Sequence, residues 1–154
     1  MPDIWWSSKE DGVTHINVYS RAKTLLGKQL SNFANTPFEC EDGKFQSVEG
    51  YWYWLGCKDD RLRKVWGFPA KRLGRDIGAP DWMDGEEFKN KIRRALRAKI
   101  SQHEEIQKMM VQTELPFTHY YDYKGKIIQV PQADWILEEL ELIRQELKNE
   151  QRKT

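Results

Sequence analysis

The 154-residue chain is poor in the features that mark a metal, a cofactor or a membrane. It has two cysteines, Cys40 and Cys57, and three histidines, His15, His103 and His119. None stands at CxxC or HExxH spacing, so no metal site is expected. Walker and GxGxxG loops are absent, which argues against nucleotide-fuelled work and hydride transfer; no cofactor is expected. No uncharged apolar run approaches the ~20 residues of a membrane-spanning helix. The opening MPDIWWSSKEDG lacks the basic-then-apolar layout of a signal peptide. The expectation is a soluble cytoplasmic protein with no membrane partner. Internal repeats and low-complexity segments are missing too, and 25 basic against 24 acidic residues leave a net charge of only +1.

What the chain does have is aromatic residues, 12% of the total with seven tryptophans. Its length fits one domain and its hydrophobic content is that of a folded protein. Val13 to Tyr19 alternates loosely and is rich in β-branched residues, predicting a strand, whereas Arg21 to Gln29, with a glycine and mixed charge, reads as a loop. Asp42-Gly43 between two short alternating runs predicts a hairpin. Ser47 predicts a helix start, because its side chain accepts the free amides of a first turn; the helix it opens, VEGYWYWLGC, is unusually aromatic. Pro69 is placed to open a short helix ending at Gly74.

From Glu86 to Thr113 there is no glycine or proline, and Phe88, Ile92, Leu96, His103, Ile106 and Met110 recur mostly at helical spacing. This predicts one long amphipathic helix capped by Asp84, with Glu86 and Glu87 where the helix dipole favours negative charge. Phe117 to Val130 predicts a second hairpin around Lys124-Gly125, ended by Pro131. Asp134 predicts the cap of a final helix, Trp135 to about Asn149, before a frayed tail. Elements in this mixed order predict a single, mostly helical α+β domain with short β-hairpins, its core spanning about 13–149.

The small net charge conceals a basic middle. Residues 58–99 hold 13 Lys or Arg against 7 Asp or Glu, a net of +6, so the rest must net −5. Between Lys89 and Lys99 there are six basic residues and no acid. Such a stretch is either a solvated helix face or a surface that attracts phosphates.

Four ordered stretches, LSNFANTPFECEDGKFQSVEGYW, AKRLGR, Asp81-Trp82 and ALRAKI, together resemble the NADAR family from about Ile16 to Met110, with a weaker echo at Arg144. That family includes riboflavin-intermediate N-glycosidases and enzymes that remove ADP-ribose from guanine. The resemblance implies a NADAR-like fold and an N-glycosidase activity. Ser31, Asn32 and Phe33 match the SNF segment that lies near the bound ribosyl substrate. Glu49 matches the glutamate of the S-x-E motif and is the leading catalytic candidate. Arg75 closes the GR motif, Trp82 matches the tryptophan before the long helix, and Lys99 matches the lysine of the A-K-F segment. The chain departs from the pattern at Gly50, where histidine is usual, and at Gly56, where lysine is usual and Lys58 is the nearest substitute. HYYDYKGK replaces the late D-x-Y-W-G loop, leaving Asp122 as its counterpart, and Asp134-Trp135-Ile136-Leu137 stands for N-x-L-G.

Hydrolysis of an N-glycosidic bond develops oxocarbenium character at the anomeric carbon. A carboxylate such as Glu49 can stabilise that charge, position water or move a proton; a glutamate in a first turn can equally be a dipole-compatible surface residue. Lys99, by its spacing from Leu96 and His103, lies near the apolar face. It is ion-paired, snorkelling or functional; in the functional case it neutralises substrate charge or attacks an opened sugar aldehyde as an amine. Trp52, Trp54, Trp66 and Trp82 offer flat walls for a base or core packing; Trp52 and Trp54, two apart on one helix, cannot both face one pocket. Lys71, Arg72 and Arg75 suit phosphate, and Asn32 suits a ribose hydroxyl or its own turn. The basic middle favours ADP-ribosylated nucleic acid as partner, with a ribosyl-phosphate small molecule of riboflavin biosynthesis as the alternative substrate. A reader of ADP-ribose or nucleic acid without turnover is the rival from outside the enzymes.

Overall fold

The computed structural model describes residues 6–78 and 85–153. In chain order the elements are β1 (Ile16–Asn17), α1 (Leu25–Leu30), β2 (Phe38–Cys40), β3 (Gly43–Phe45), α2 (Val48–Cys57), α3 (Gly67–Ile77), α4 (Glu86–Ser101), α5 (Glu104–Val111), β4 (Phe117–Thr118), β5 (Tyr120–Tyr123), β6 (Lys126–Gln129) and α6 (Asp134–Arg152). Short 3₁₀ turns lie at Ser8–Glu10, Asp60–Lys64 and Pro131–Ala133. The fold class is α+β, with the strands joined in pairs. Among the described residues no helix is long and apolar enough to cross a membrane. The chain divides into two compact units, one running from Asn32 to Glu105 and the other built from the segments on either side.

In the unit formed by the flanking segments, β1 pairs parallel with β4, and β5 pairs antiparallel with β6. The β5–β6 turn passes through Lys124 and Gly125 at φ 52 and 89. The strand predicted over Val13 to Tyr19 shrinks to two residues. The chain turns just before it, with the Gly12 and Val13 amides donating to the His15 and Glu10 carbonyls at 2.7 and 2.8 Å. So short a strand is held by buried polar side chains. Asp11 accepts the Asn17 amide at 2.9 Å, and the Asn17 side chain both donates to and accepts from the Tyr120 backbone at 3.0 Å. The segment read as a loop after it contains α1. Thr24 accepts the Gly27 amide at 2.9 Å and starts the helix. Gly27 is a point of close approach and not a break, because a Cβ there would lie 2.2 Å from the Asn17 carbonyl oxygen. At the other end, Asp134 is the first residue inside α6 and not its cap; Ala133 stands at the N-cap, and the helix runs past the expected end to Arg152.

In the unit from Asn32 to Glu105, β2 and β3 form the expected hairpin, with Gly43 at φ 103. Phe38, Phe45, Tyr51, Trp54 and Leu62 are buried. α3 continues through Gly74 and ends at Gly78, whose φ of 74 is the left-handed conformation that closes a helix. The single long helix expected from Glu86 is two, α4 and α5, interrupted at Gln102 and His103. The Gln102 side chain pairs with both the amide and the carbonyl of Glu39 at 2.8 Å, and His103 Nε2 donates to the Pro37 carbonyl at 2.7 Å. Those contacts satisfy the backbone of the hairpin strand where a continuous helix would leave it open. Gly85 occupies the N-cap of α4; Asp84, expected there, lies outside the described residues.

Candidate functional site

Within the Asn32–Glu105 unit, α2 packs on both α3 and α4, and its first turn is tightly specified. The Ser47 hydroxyl accepts the Gly50 amide at 3.0 Å and donates to the Val65 carbonyl at 2.9 Å. At Gly50 a Cβ would lie 2.3 Å from the Leu62 carbonyl oxygen, so no side chain fits where the resembled family usually has histidine. The Glu49 amide donates to the Asn32 carbonyl at 2.9 Å.

Glu49 and Tyr53, four residues apart, share one face of α2. α3 comes against that face at Gly74, where a Cβ would be 2.2 Å from Tyr53 Cγ. Lys71 and Arg75, also four apart, flank Gly74 and bring their charges to Glu49. Packing withdraws the carboxyl from water, and this burial outweighs the attraction of both cations. The pKa of Glu49 rises to about 7. A carboxyl poised there can give or take a proton at neutral pH, beside two donors suited to an anion.

Phe33 lies at the same end of the unit: its carbonyl accepts the Gly67 amide at 3.0 Å, and its ring stands edge-on to Phe68, centroids 5.1 Å apart. Trp52 is partly exposed and packs edge-on against Phe88 of α4 at 4.7 Å. Trp54 is core. Its indole donates to Asp60 at 3.0 Å, and its ring carries Lys58 and Arg63 at 4.4 and 4.7 Å, so Lys58 is engaged there. Lys99 is fully buried, in series on α4 with Phe88, Ile92, Ala95, Leu96 and Ile100. Burial brings its pKa down to about 7.

Ser31 and Asp122 belong to the other unit. Ser31 is the buried C-cap of α1. The Asp122 carboxylate accepts from the Ser8 hydroxyl and from the Gly125 amide, the latter at 2.9 Å, and both bonds hold its pKa below the usual range. This is the chemistry of a turn-holding aspartate. Trp82 lies outside the described residues. Tyr53, which seats α3, and Phe68, which stands over Phe33, were not anticipated; the three-residue step from Phe68 to Lys71 was the available signal for the second.

No protein-family model and no curated protein matches the chain. Its fold is similar to the NMR structure of the E. coli protein YbiA, over 97% of each chain with a TM-score of 0.68 and 22% sequence identity.

Proposed function

We propose that this chain is an N-glycosidase that hydrolyses a ribosyl N-glycosidic bond and removes ADP-ribose from guanine in nucleic acid. The observation that carries the reading is Glu49, a carboxyl near pKa 7 with Lys71 and Arg75 beside it, at the position that matches the glutamate of the NADAR motif. In the reaction the bond between the anomeric carbon and the guanine nitrogen breaks, and its electron pair leaves with the base. Water adds to the anomeric carbon and loses a proton. Glu49 supplies the proton transfer, as acid to the departing nitrogen or as base to the water, and its carboxylate form stabilises the developing oxocarbenium charge.

Lys71 and Arg75 pair with the diphosphate. Their field is what restrains the pKa of Glu49; phosphate neutralises that field, so substrate binding itself raises the carboxyl further and favours its acid form. Lys99, with a pKa near 7, is in this reading an amine that meets substrate charge or the opened sugar aldehyde. The basic segment 58–99 supports a polymeric substrate over a small ribosyl phosphate.

The test is incubation with an oligonucleotide carrying ADP-ribosylated guanine. Wild-type protein removes the adduct and Glu49→Gln binds without removing it. Unchanged adduct with folded wild-type protein refutes the reading. Release of ribose 5-phosphate from a phosphorylated aminopyrimidine, with the oligonucleotide untouched, moves the activity to riboflavin intermediates.

A further inference from the structure

Trp66 and Phe68 are 47% and 52% exposed. Single exposed apolar residues are ordinary on a protein surface, but these two flank Gly67, whose φ of 63 turns the chain into α3. Phe33 supports the Phe68 ring from one edge while that ring stays half in water.

Their surroundings are cationic. From Arg61 to Arg75 there are six basic residues and no acid. Arg61 and Arg63 are taken by Asp59 and Asp60 at 2.7 and 2.8 Å. Lys71 and Arg75 bring their charges to Glu49, while Lys64 and Arg72 enter no ion pair among the described residues. Phe68 is followed at three and four residues by Lys71 and Arg72, so ring and cations occupy one side of α3.

Exposed rings beside unpaired cations are what a single strand requires, since its bases offer free faces for stacking and its phosphates run alongside. A duplex hides those faces and leaves the rings without a partner. We propose that Trp66 and Phe68, with Lys64 and Arg72, bind single-stranded nucleic acid, the rings stacking on unpaired bases and the cations following the phosphates. This names the substrate form of the glycosidase reading and rests on it for why a strand is brought beside Glu49.

The experiment uses an unmodified, fluorescein-labelled 12-nucleotide strand and its duplex, titrated by fluorescence anisotropy. Trp66→Ala and Phe68→Ala each weaken single-strand binding about tenfold. Trp66→Phe retains most of it, and duplex affinity does not change. Exchanging Lys64 and Arg72 for glutamine flattens the salt dependence. Thermal melting unchanged by Trp66→Ala shows that the loss is not unfolding. Single-strand affinity unchanged in Trp66→Ala, or an equal loss on duplex, overturns the proposal; so does tighter binding of polyglutamate than of the strand, which assigns the patch to an acidic protein. No hydrolysis is measured, so the two readings fail separately. Ring-dependent strand binding by a protein that leaves ADP-ribosylated guanine intact refutes only the glycosidase, and adduct removal without ring-dependent binding refutes only this surface.

Discussion

Replacing Lys99 with methionine should make the protein more stable at neutral pH. The lysine titrates near 10.5 when unfolded and near 7 when buried in α4. A displacement of about 3.5 units at ~1.36 kcal/mol each corresponds to roughly 5 kcal/mol. The sign follows from the direction of the shift. A depressed pKa means that the native state disfavours the ammonium, so the cost is nil above pH 10.5, grows as pH falls toward 7 and is constant below it. At pH 7, with the native lysine half protonated, about 4 kcal/mol of that cost is present. Methionine is unbranched and of nearly the same volume, though one heavy atom shorter, so the packing around it changes little. Thermal unfolding followed by circular dichroism from pH 6 to pH 10 should show Lys99→Met melting about 10 °C above wild type at pH 7, with the gap closing by pH 10. Under the proposed role the variant also loses adduct hydrolysis, trading function for stability. A variant less stable than wild type, or a gap that does not change with pH, would refute the claim that burial sets the titration of Lys99.

Under the proposed mechanism, adduct hydrolysis should follow a bell-shaped kcat/KM profile with its maximum near pH 7, because Glu49 and Lys99 both titrate there and the proposal uses each in one protonation state. Glu49→Gln should lower kcat by about 10²- to 10⁴-fold while raising the melting temperature above pH 7; the native pKa of Glu49 is raised, so its contribution to stability is full below about pH 4.5 and is lost as pH rises through 7. Gly74→Ala should cost about 1–3 kcal/mol in urea unfolding, since its Cβ would fall 2.2 Å from Tyr53 Cγ and the ring must shift. Ser47→Ala should cost about 2 kcal/mol in the same assay, because it removes the acceptor of the Gly50 amide and the donor to Val65.

Signals contained in a few neighbouring residues were legible in the sequence. Asp42-Gly43 and Lys124-Gly125 form turns, and Ser47 caps α2, because each needs only local backbone geometry. The interruption after α4 was not legible. Its cause is the backbone of Glu39 and Pro37, 63 and 66 residues away, and the apolar period that suggested one helix runs on through it.

The glycines explain why the site was only half visible. Gly43 and Gly78 adopt positive φ at element boundaries, the first residue of β3 and the C-cap of α3, whereas Gly27 and Gly74 sit inside helices because another group occupies the space of their Cβ. Sequence alone does not separate these uses, and both Gly27 and Gly74 read as breaks. For Gly74 the distinction decides the chemistry. As a helix stop it leaves Lys71 and Arg75 on opposite sides of a turn; as a contact it keeps them four residues apart on one helical face and seats that face against Tyr53, one turn from Glu49. The glutamate could be picked out by its motif and the cations by their charge. Their mutual influence, and hence a carboxyl held near neutrality against two cations, depends on the missing Cβ of a residue that looked like punctuation.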